Sequence, residues 1–386
     1  MNLEPSIEQV ALREQLHDYF TDLRRGPFAD LQREDHGPRY RDWMRQLGAD
    51  GWLGIGWPTE YGGQGRPYVD QFIFFDEAMR CGVPVPMISL NTVGPTLMKY
   101  GSDEQRSTFL PPILRGEIDF AIGYSEPDAG TDLAAVRTRA RRDGDVYIVD
   151  GAKVFTSRGG TADYVWLAAR TDPDSVDHRG LSVLIVDTTD PGYSATPIRT
   201  LASYDTYSTY YDGVRVPVTH RVGEENDGWR LITTQLNYER VAMASFGGLA
   251  RTLYEEVLDW AGTPATDSSR PIDAPWVQTA LARCSVLLTG MELLTARASL
   301  RVGSGALSPA EASAVKVLST ESVPTIYRLL MEVVGLESCH PDDDRWAALD
   351  FAYRRAVINT FGGGTNEIQR EIIAQNGLGL PRASRR

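Results

Sequence analysis

The strongest constraint on the fold is a double change of hydrophobic period along the chain. Apolar residues recur at helical spacing up to Asp119, alternate in short strand-like runs as far as Val216, and return to helical spacing after Gly228. This order predicts an α+β multidomain protein: an all-α domain over residues 1–118, a β-sandwich or barrel over 119–226, and a C-terminal four-helix bundle over 227–386. Three lobes of one functional unit place ligands where they meet.

Within the first lobe, Ile7, Val10, Leu16, Phe20 and Leu23 predict a helix over Ser6–Arg25, with Ser6 and Gln9 as a capping box and Gly26-Pro27 as the stop. Further helices are expected over Tyr40–Leu47, Tyr68–Arg80, Met87–Tyr100 and Asp103–Leu114, the last opened by Ser102 and Gln105. The glycines of Gly51–Gly65 suit an ordered loop. Strands are expected over Phe120–Tyr124, Val136–Arg141, Val146–Val149, Tyr164–Ala169, Leu181–Val186 and Tyr210–Val216, with a hairpin turn at Asp143-Gly144. The four bundle helices are expected over Trp229–Trp260, Trp276–Val302, Pro309–Val334 and Trp346–Asn359.

Composition narrows the function. With 42% hydrophobic and 24% charged residues the 386-residue chain can bury a sizeable core, and no apolar run is expected to reach the roughly 20 residues of a membrane span. The N-terminus lacks the basic and apolar regions of a signal peptide, so the expected location is the cytoplasm. Cys81, Cys284 and Cys339 are too scattered for a disulfide framework or a zinc site. A net charge of -13 argues against nucleic acid or an anionic membrane as the main partner, so any anionic ligand has to be held by local groups. His17, His36, His178, His220 and His340 show no metal-ligand spacing, and no Ser or Cys sits in a nucleophile elbow.

Two stretches carry candidate chemistry. Phe361–Arg370 holds three glycines before a helix start, a pattern that lets backbone approach a ligand and offers N–H groups to an anion, although an ordinary turn and cap reads the same way. The block Gly123–Gly160 combines hydroxyls, glycines and an aromatic and suits a planar hydrogen-bonding cofactor, with plain hairpin turns as the alternative.

Five motifs occur in order: Trp57-Pro58-Thr59-Glu60-Tyr61-Gly62-Gly63, the run Tyr124–Asp132, Gly151–Ser157, Glu239-Arg240, and Gly363-Gly364-Thr365-Asn366-Glu367-Ile368-Gln369-Arg370. On these the chain resembles the acyl-CoA dehydrogenase family over essentially its whole length. The resemblance implies FAD held between β domain and bundle, a fatty acyl thioester against the flavin, and oxidation to a trans-2-enoyl thioester. It implies that Tyr124, Ser125, Gly130 and Thr131 line the flavin, with Thr131 also facing the pantetheine arm. It further implies that Phe155 and Ser157 flank the isoalloxazine, and that Thr365 and Glu367 are flavin contacts.

The reaction needs a base for the α proton. In the commoner members a carboxylate precedes the Gly-Thr of the last motif; here that position is Gly363, which has no side chain. The resemblance to long-chain and isovaleryl-type members puts the base on the first bundle helix, at Glu239. A Glu beside an Arg on a helix is otherwise a solvated pair, and the empty usual position is what favours Glu239. Asn237 and Arg240 match pantetheine contacts, and the main-chain N–H of Gly363, with a flavin ribityl hydroxyl, matches the donors to the thioester carbonyl. Met87–Leu97 and the helix carrying Glu239 are expected to line the acyl-tail pocket.

Some positions depart from the family pattern. Gly262–Pro275 lacks the Arg and Phe-Gly motif that reaches a neighbour's FAD, with Arg270 as a candidate replacement. Glu332–Leu336 and the acidic Pro341–Asp344 stand where the adenine is usually held. The expected partners are an acyl-CoA or acyl-carrier-protein thioester and electron-transferring flavoprotein, in a homodimer, tetramer or heteromer. Two rival readings are a non-catalytic subunit of a heteromeric dehydrogenase and a same-fold flavin monooxygenase.

Overall fold

The computed structural model describes residues 3–31, 36–175, 177–202, 205–264, 268–335 and 346–382, and leaves the side chains of 237–244 aside. In chain order the first helices are α1 (Ile7–Arg25), α2 (Gly37–Ala49), α3 (Tyr68–Arg80), α4 (Gly94–Tyr100) and α5 (Asp103–Leu114). Strands β1 (Phe120–Gly123), β2 (Arg139–Asp143), β3 (Val146–Lys153), β4 (Tyr164–Arg170), β5 (Leu181–Asp187), β6 (Tyr193–Arg199), β7 (Asp205–Pro217) and β8 (Arg221–Val222) follow. The chain ends with α6 (Gly228–Ala242), α7 (Gly247–Gly262), α8 (Pro275–Gly303), α9 (Pro309–Val334), α10 (Ala347–Ala356) and α11 (Asn366–Ile372). Two compact units interleave in sequence. Met1–Arg33, Pro67–Pro84 and Arg240–Arg386 form a helical unit, and Glu34–Arg66 with Val85–Glu239 form a sheet unit.

In the sheet unit the strands run in the order β6-β7-β3-β2-β4-β5-β8, with β1 parallel to β4. The β2–β3 hairpin turns at Gly144, φ 62°, where Asp143-Gly144 predicts it. β4 and β5 are continuous apolar runs because both their faces are covered. Val165, Leu167, Leu184 and Val186 share a core with Tyr147, Val149 and Val214. Towards α5, Phe109 meets the Tyr164 ring edge-on at 5.3 Å, and Phe120 stacks on Tyr164 at 5.4 Å. β6 is a strand the hydrophobic pattern does not announce: it lies on the sheet edge, where Pro197 withholds no ladder donor that is needed. β7 starts earlier than Tyr210 because its buried inward positions include Thr206 and Thr209, which hide the alternation.

The Trp57–Gly63 motif is a packing device inside this unit. Trp57 Nε1 donates to Leu90 O at 3.1 Å, and its ring fills the notch at Gly94, where a Cβ would lie 2.0 Å from a ring carbon. A Cβ on Gly63 would lie 2.1 Å from Trp57 O. The expected helix Met87–Tyr100 carries a π turn at Ser89–Val93 before α4.

In the helical unit, α7, α8, α9 and α10 enclose Leu253, Val257, Leu281, Leu288, Ile326, Leu330 and Leu349, all buried; each such side chain stabilises by about 2 kcal/mol. The expected helix Trp229–Trp260 is divided by a 3₁₀ turn over Met243–Phe246. Gly247-Gly248 has poor helix propensity, and Gly248 lets α7 close on α3, where a Cβ would lie 2.6 Å from Asp76 O. Buried Asp76 and Glu77 of α3 are answered by Arg13 at 2.6 and 2.8 Å. Contrary to expectation, α8 is long and apolar enough to cross a membrane by length and composition, yet its Val277, Leu281, Cys284, Leu288 and Met291 are buried in the bundle core. Cys284 is buried and Cys81 half-buried, whereas Cys339 lies outside the described residues.

Candidate functional site

The expected site residues fall in both units, and each set has its own geometry. In the sheet unit, β1 delivers the chain to Tyr124 and β3 delivers it to Phe155, and polar contacts tie the two exits together. Val154 N donates to Ser125 O at 2.9 Å. Lys153, fully buried, donates from Nζ to Tyr124 O at 3.0 Å and to Glu126 Oε1 at 2.8 Å. The Glu126 carboxylate also accepts from Arg137 N at 2.6 Å and Thr138 N at 2.9 Å. Burial raises the Glu126 carboxyl, but the Lys153 ammonium and the backbone donors outweigh it and hold the pKa below the ordinary value. Burial also draws Lys153 down to about 8, with Glu126 opposing.

Tyr124 is buried, and its hydroxyl accepts from Trp166 Nε1 at 3.2 Å and from Gln235 Nε2, so that oxygen serves the core. Ser125 is half-buried, and Gly130 and Thr131 are exposed. A Cβ on Gly130 would meet no atom of this chain within 4 Å, so no internal contact requires glycine there.

Phe155 sits between buried Lys153 and buried Thr156, takes φ 59°, and stands 65% exposed. A left-handed backbone costs a non-glycine residue about 1 kcal/mol, and an unburied phenyl forgoes roughly 2 kcal/mol. Both costs fall on this one residue. Arg158, at φ 66°, is held by an ion pair with Asp119 and lies 4.2 Å from the Tyr40 ring centroid. Between them Thr156 N donates to Tyr207 O at 3.0 Å, and Ser157 is half-buried. The hydroxyls of Ser125, Thr131 and Ser157 have no hydrogen-bond partner among the described residues. An exposed aromatic on strained backbone and unengaged hydroxyls fit a flat, hydrogen-bonding ring system such as a flavin.

α6 carries Asn237, Glu239 and Arg240, whose side chains lie outside the description. Gln235, one turn before Glu239, is buried and accepts from Trp166 Nε1 at 3.1 Å, which fixes that part of α6 against β4.

In the helical unit the glycine loop lies between a 3₁₀ turn at Val357–Thr360 and α11. Gly363 and Gly364 take φ 67° and 96°, and Phe361 is 55% exposed. The Thr365 hydroxyl caps α11, accepting from Ile368 N at 3.4 Å, and Glu367 is exposed in the first turn. Fully buried Lys316 of α9 donates from Nζ to Thr360 O at 3.0 Å, Gly364 O at 2.9 Å and Asn366 Oδ1 at 2.6 Å. Asn366 Nδ2 donates to Glu321 Oε1 at 3.1 Å, and Arg370 forks onto the same carboxylate at 2.6 and 2.7 Å. Neither Lys316 nor Lys153 stands out in the motif reading. The available signal is a lysine inside the apolar run Ala314-Val315-Lys316-Val317-Leu318.

Arg270 forks onto Asp273 of its own turn at 2.6 and 3.1 Å. Glu332 pairs with Arg328 one helical turn away, and Pro341–Asp344 lies outside the described residues. His17, Glu77 and Cys81 bring potential ligand atoms within 4.8 Å of one another, from α1 and the end of α3. Arg13 already holds Glu77 Oε2 at 2.8 Å, and burial pushes the Cys81 thiol up to about 12, so at neutral pH this cluster is a set of hydrogen bonds around a protonated sulfur.

Residues 6–117, 121–213 and 226–378 match the families described as acyl-CoA dehydrogenase N-terminal, middle and C-terminal domain. The chain is 49% identical over 401 residues to the acyl-CoA dehydrogenase FadE26 of Mycobacterium tuberculosis (strain ATCC 25618 / H37Rv), with 100% of both chains covered. Among solved structures it is similar to the Tcur3481-Tcur3483 steroid ACAD, at TM-score 0.93 and 45% identity over 99% of this chain and 100% of that one. It is also similar to the ChsE4-ChsE5 complex from Mycobacterium tuberculosis, at TM-score 0.90 and 48% identity over 99% and 100% of the two chains.

Proposed function

This chain belongs to the acyl-CoA dehydrogenase family of FAD-dependent flavoproteins, and we propose that it dehydrogenates the α,β bond of an acyl thioester with Glu239 as the base. The observation that carries the reading is the backbone at Gly363. It has no side chain, and its φ of 67° is one that glycine adopts without cost and other residues at about 1 kcal/mol, so the place where commoner members keep the carboxylate is empty and its backbone suits that emptiness. That empty position supports a base on α6, at Glu239.

FAD supplies the hydride acceptor. The chain's residues bind and orient. Ser125, Thr131 and Ser157 offer hydroxyls to the ring system, Phe155 offers its face, Tyr124 and Gly130 shape the loop around it, and Thr365 and Glu367 complete its contacts. Asn237 and Arg240 hold the pantetheine together with Thr131. The Gly363 N–H donates to the thioester carbonyl and favours the negative charge that develops there as the α proton leaves. Glu239 takes that proton.

The names of the solved relatives support a finer reading. A steroid ACAD at 45% identity supports a thioester that carries a steroid skeleton, and the two-chain names support one half of a heteromeric pair. Val286, Leu293 and Leu300 add a further point: they are 71%, 51% and 40% exposed at seven-residue spacing along α8, apolar surface that suits another chain. Electron-transferring flavoprotein is the proposed acceptor, the cytoplasm the proposed location, and 1–118, 119–226 and 227–386 the proposed lobes.

Anaerobic titration of the flavin spectrum with straight-chain and steroid acyl-CoAs tests the reading, on protein purified with any chain that accompanies it. Bleaching is expected with a steroid thioester, slowed about 10²–10⁴-fold in Glu239→Gln. A variant that bleaches at the wild-type rate removes Glu239 as the base. A preparation that stays colourless with added FAD makes the chain a non-catalytic subunit.

A further inference from the structure

We propose that Lys316 is a positioning residue, whose ammonium clamps both ends of the glycine loop and thereby fixes the Gly363 N–H. Three successive glycines have the greatest backbone freedom a chain can have, and ordering each costs about 1–2 kcal/mol. Within the loop the local restraints are few: Phe361 N and Gly362 N both donate to Ile358 O, at 3.2 and 2.9 Å. The carbonyls of Thr360 and Gly364 bracket the segment Phe361–Gly363, and both point at one Nζ, at 3.0 and 2.9 Å. The third ammonium proton goes to Asn366 Oδ1, the first residue of α11, at 2.6 Å. An ammonium has three donors, and these three acceptors match them.

A fully buried lysine is an expensive way to join two elements, since apolar packing would do so without desolvating a charge, and here the Glu321 carboxylate acts on that charge electrostatically. What the ammonium adds is direction, because it fixes two carbonyls and an amide at once from a rigid 26-residue helix. The carboxylate of Glu321, reached through Asn366 Nδ2, belongs to the same set, which also anchors Arg370. A second tie, Ser313 Oγ to Gln369 Oε1 at 2.8 Å, joins α9 to α11; Gln369 Nε2 in turn donates to Gly364 O at 3.4 Å, so this tie reaches one end of the loop but not Thr360. Its loss leaves the ammonium on both carbonyls, so it is the comparison for losing one helix tie while the clamp stays.

The inference rests on the reading that the Gly363 N–H holds the thioester carbonyl, and two readouts separate them. Hydrogen exchange of the peptide spanning 361–365 needs no substrate: Lys316→Met is expected to speed it at least about tenfold while Ser313→Ala leaves it near wild type. Unchanged exchange in K316M overturns the clamp, whatever the chain catalyses. The second readout is rapid anaerobic bleaching, where K316M is expected to slow the step about a hundredfold with flavin content and thioester Kd within about threefold of wild type. A loosened loop with a wild-type bleaching rate overturns positioning. Partial recovery of Lys316→Ala by propylammonium supports it, since a merely structural lysine would not give rate back to a free amine. Should K316M not fold, Lys316→Gln, which keeps one donating amide, is expected between the two, and a wild-type exchange pattern in K316Q likewise overturns the clamp.

Discussion

Replacing Lys153 with Met tests whether its pair with Glu126 holds the Tyr124–Thr131 loop to the end of β3. The ammonium is fully buried, 2.8 Å from Glu126 Oε1 and 3.0 Å from Tyr124 O. Met has a similar volume, so the loss is chiefly electrostatic: Glu126 keeps its donors from Arg137 N and Thr138 N but loses its counter-charge in a buried setting. Removing one partner of a buried pair costs about 3–5 kcal/mol. The surviving donors, and the release of an ammonium whose burial already draws it down to about 8, put the expectation near the lower end, about 3 kcal/mol. The double variant Glu126→Gln, Lys153→Met has a neutral interior and is expected within about 1 kcal/mol of wild type. The Glu126 pKa is depressed in the folded protein, so its contribution is complete above the unfolded value of 4.5 and is lost as pH falls through the lowered value. The K153M deficit is therefore smaller below about pH 4.5 than at pH 7. Urea unfolding followed by tryptophan fluorescence at pH 7 and pH 4 measures it. K153M within about 0.5 kcal/mol of wild type at pH 7, or a double variant as unstable as the single, refutes the reasoning.

Phe155→Gly removes an exposed phenyl and relieves a left-handed backbone, so the apoprotein is expected to stay within about 1 kcal/mol of wild type while flavin retention on gel filtration falls. Undiminished flavin content would remove Phe155 from the cofactor contacts. Gly94→Ala would put a methyl 2.0 Å from the Trp57 ring and is expected to cost about 2 kcal/mol. Thermal unfolding checks it, and a midpoint equal to wild type would show that Trp57 does not need that notch.

Elements held by neighbours a few residues away were legible from one-dimensional spacing. The capping boxes at Ser6 with Gln9 and Ser102 with Gln105 form as their spacing predicts, and α3, α5 and α9 keep their expected bounds. Helical period and caps are settled within one or two turns, which a sequence displays directly. The absence of a side chain at Gly363 was equally plain. β6 was not legible, because an edge strand owes its existence to pairing with β7 and not to its own alternation.

The site lay further out of reach. Lys153 and Glu126 are 27 residues apart, Lys316 and Gly364 are 48 apart, and His17 meets Glu77 across 60. Burial, pairing and the resulting pKa shifts depend on distances in space, which periodicity does not encode. Phe155 illustrates the division: its type and place in the Gly151–Ser157 motif were visible in the chain, but its φ of 59° and its exposure between buried Lys153 and Thr156 were not. Local order in this protein is written in short-range pattern. The groups proposed to hold cofactor and substrate get their environment from contacts that exist only once the chain has folded.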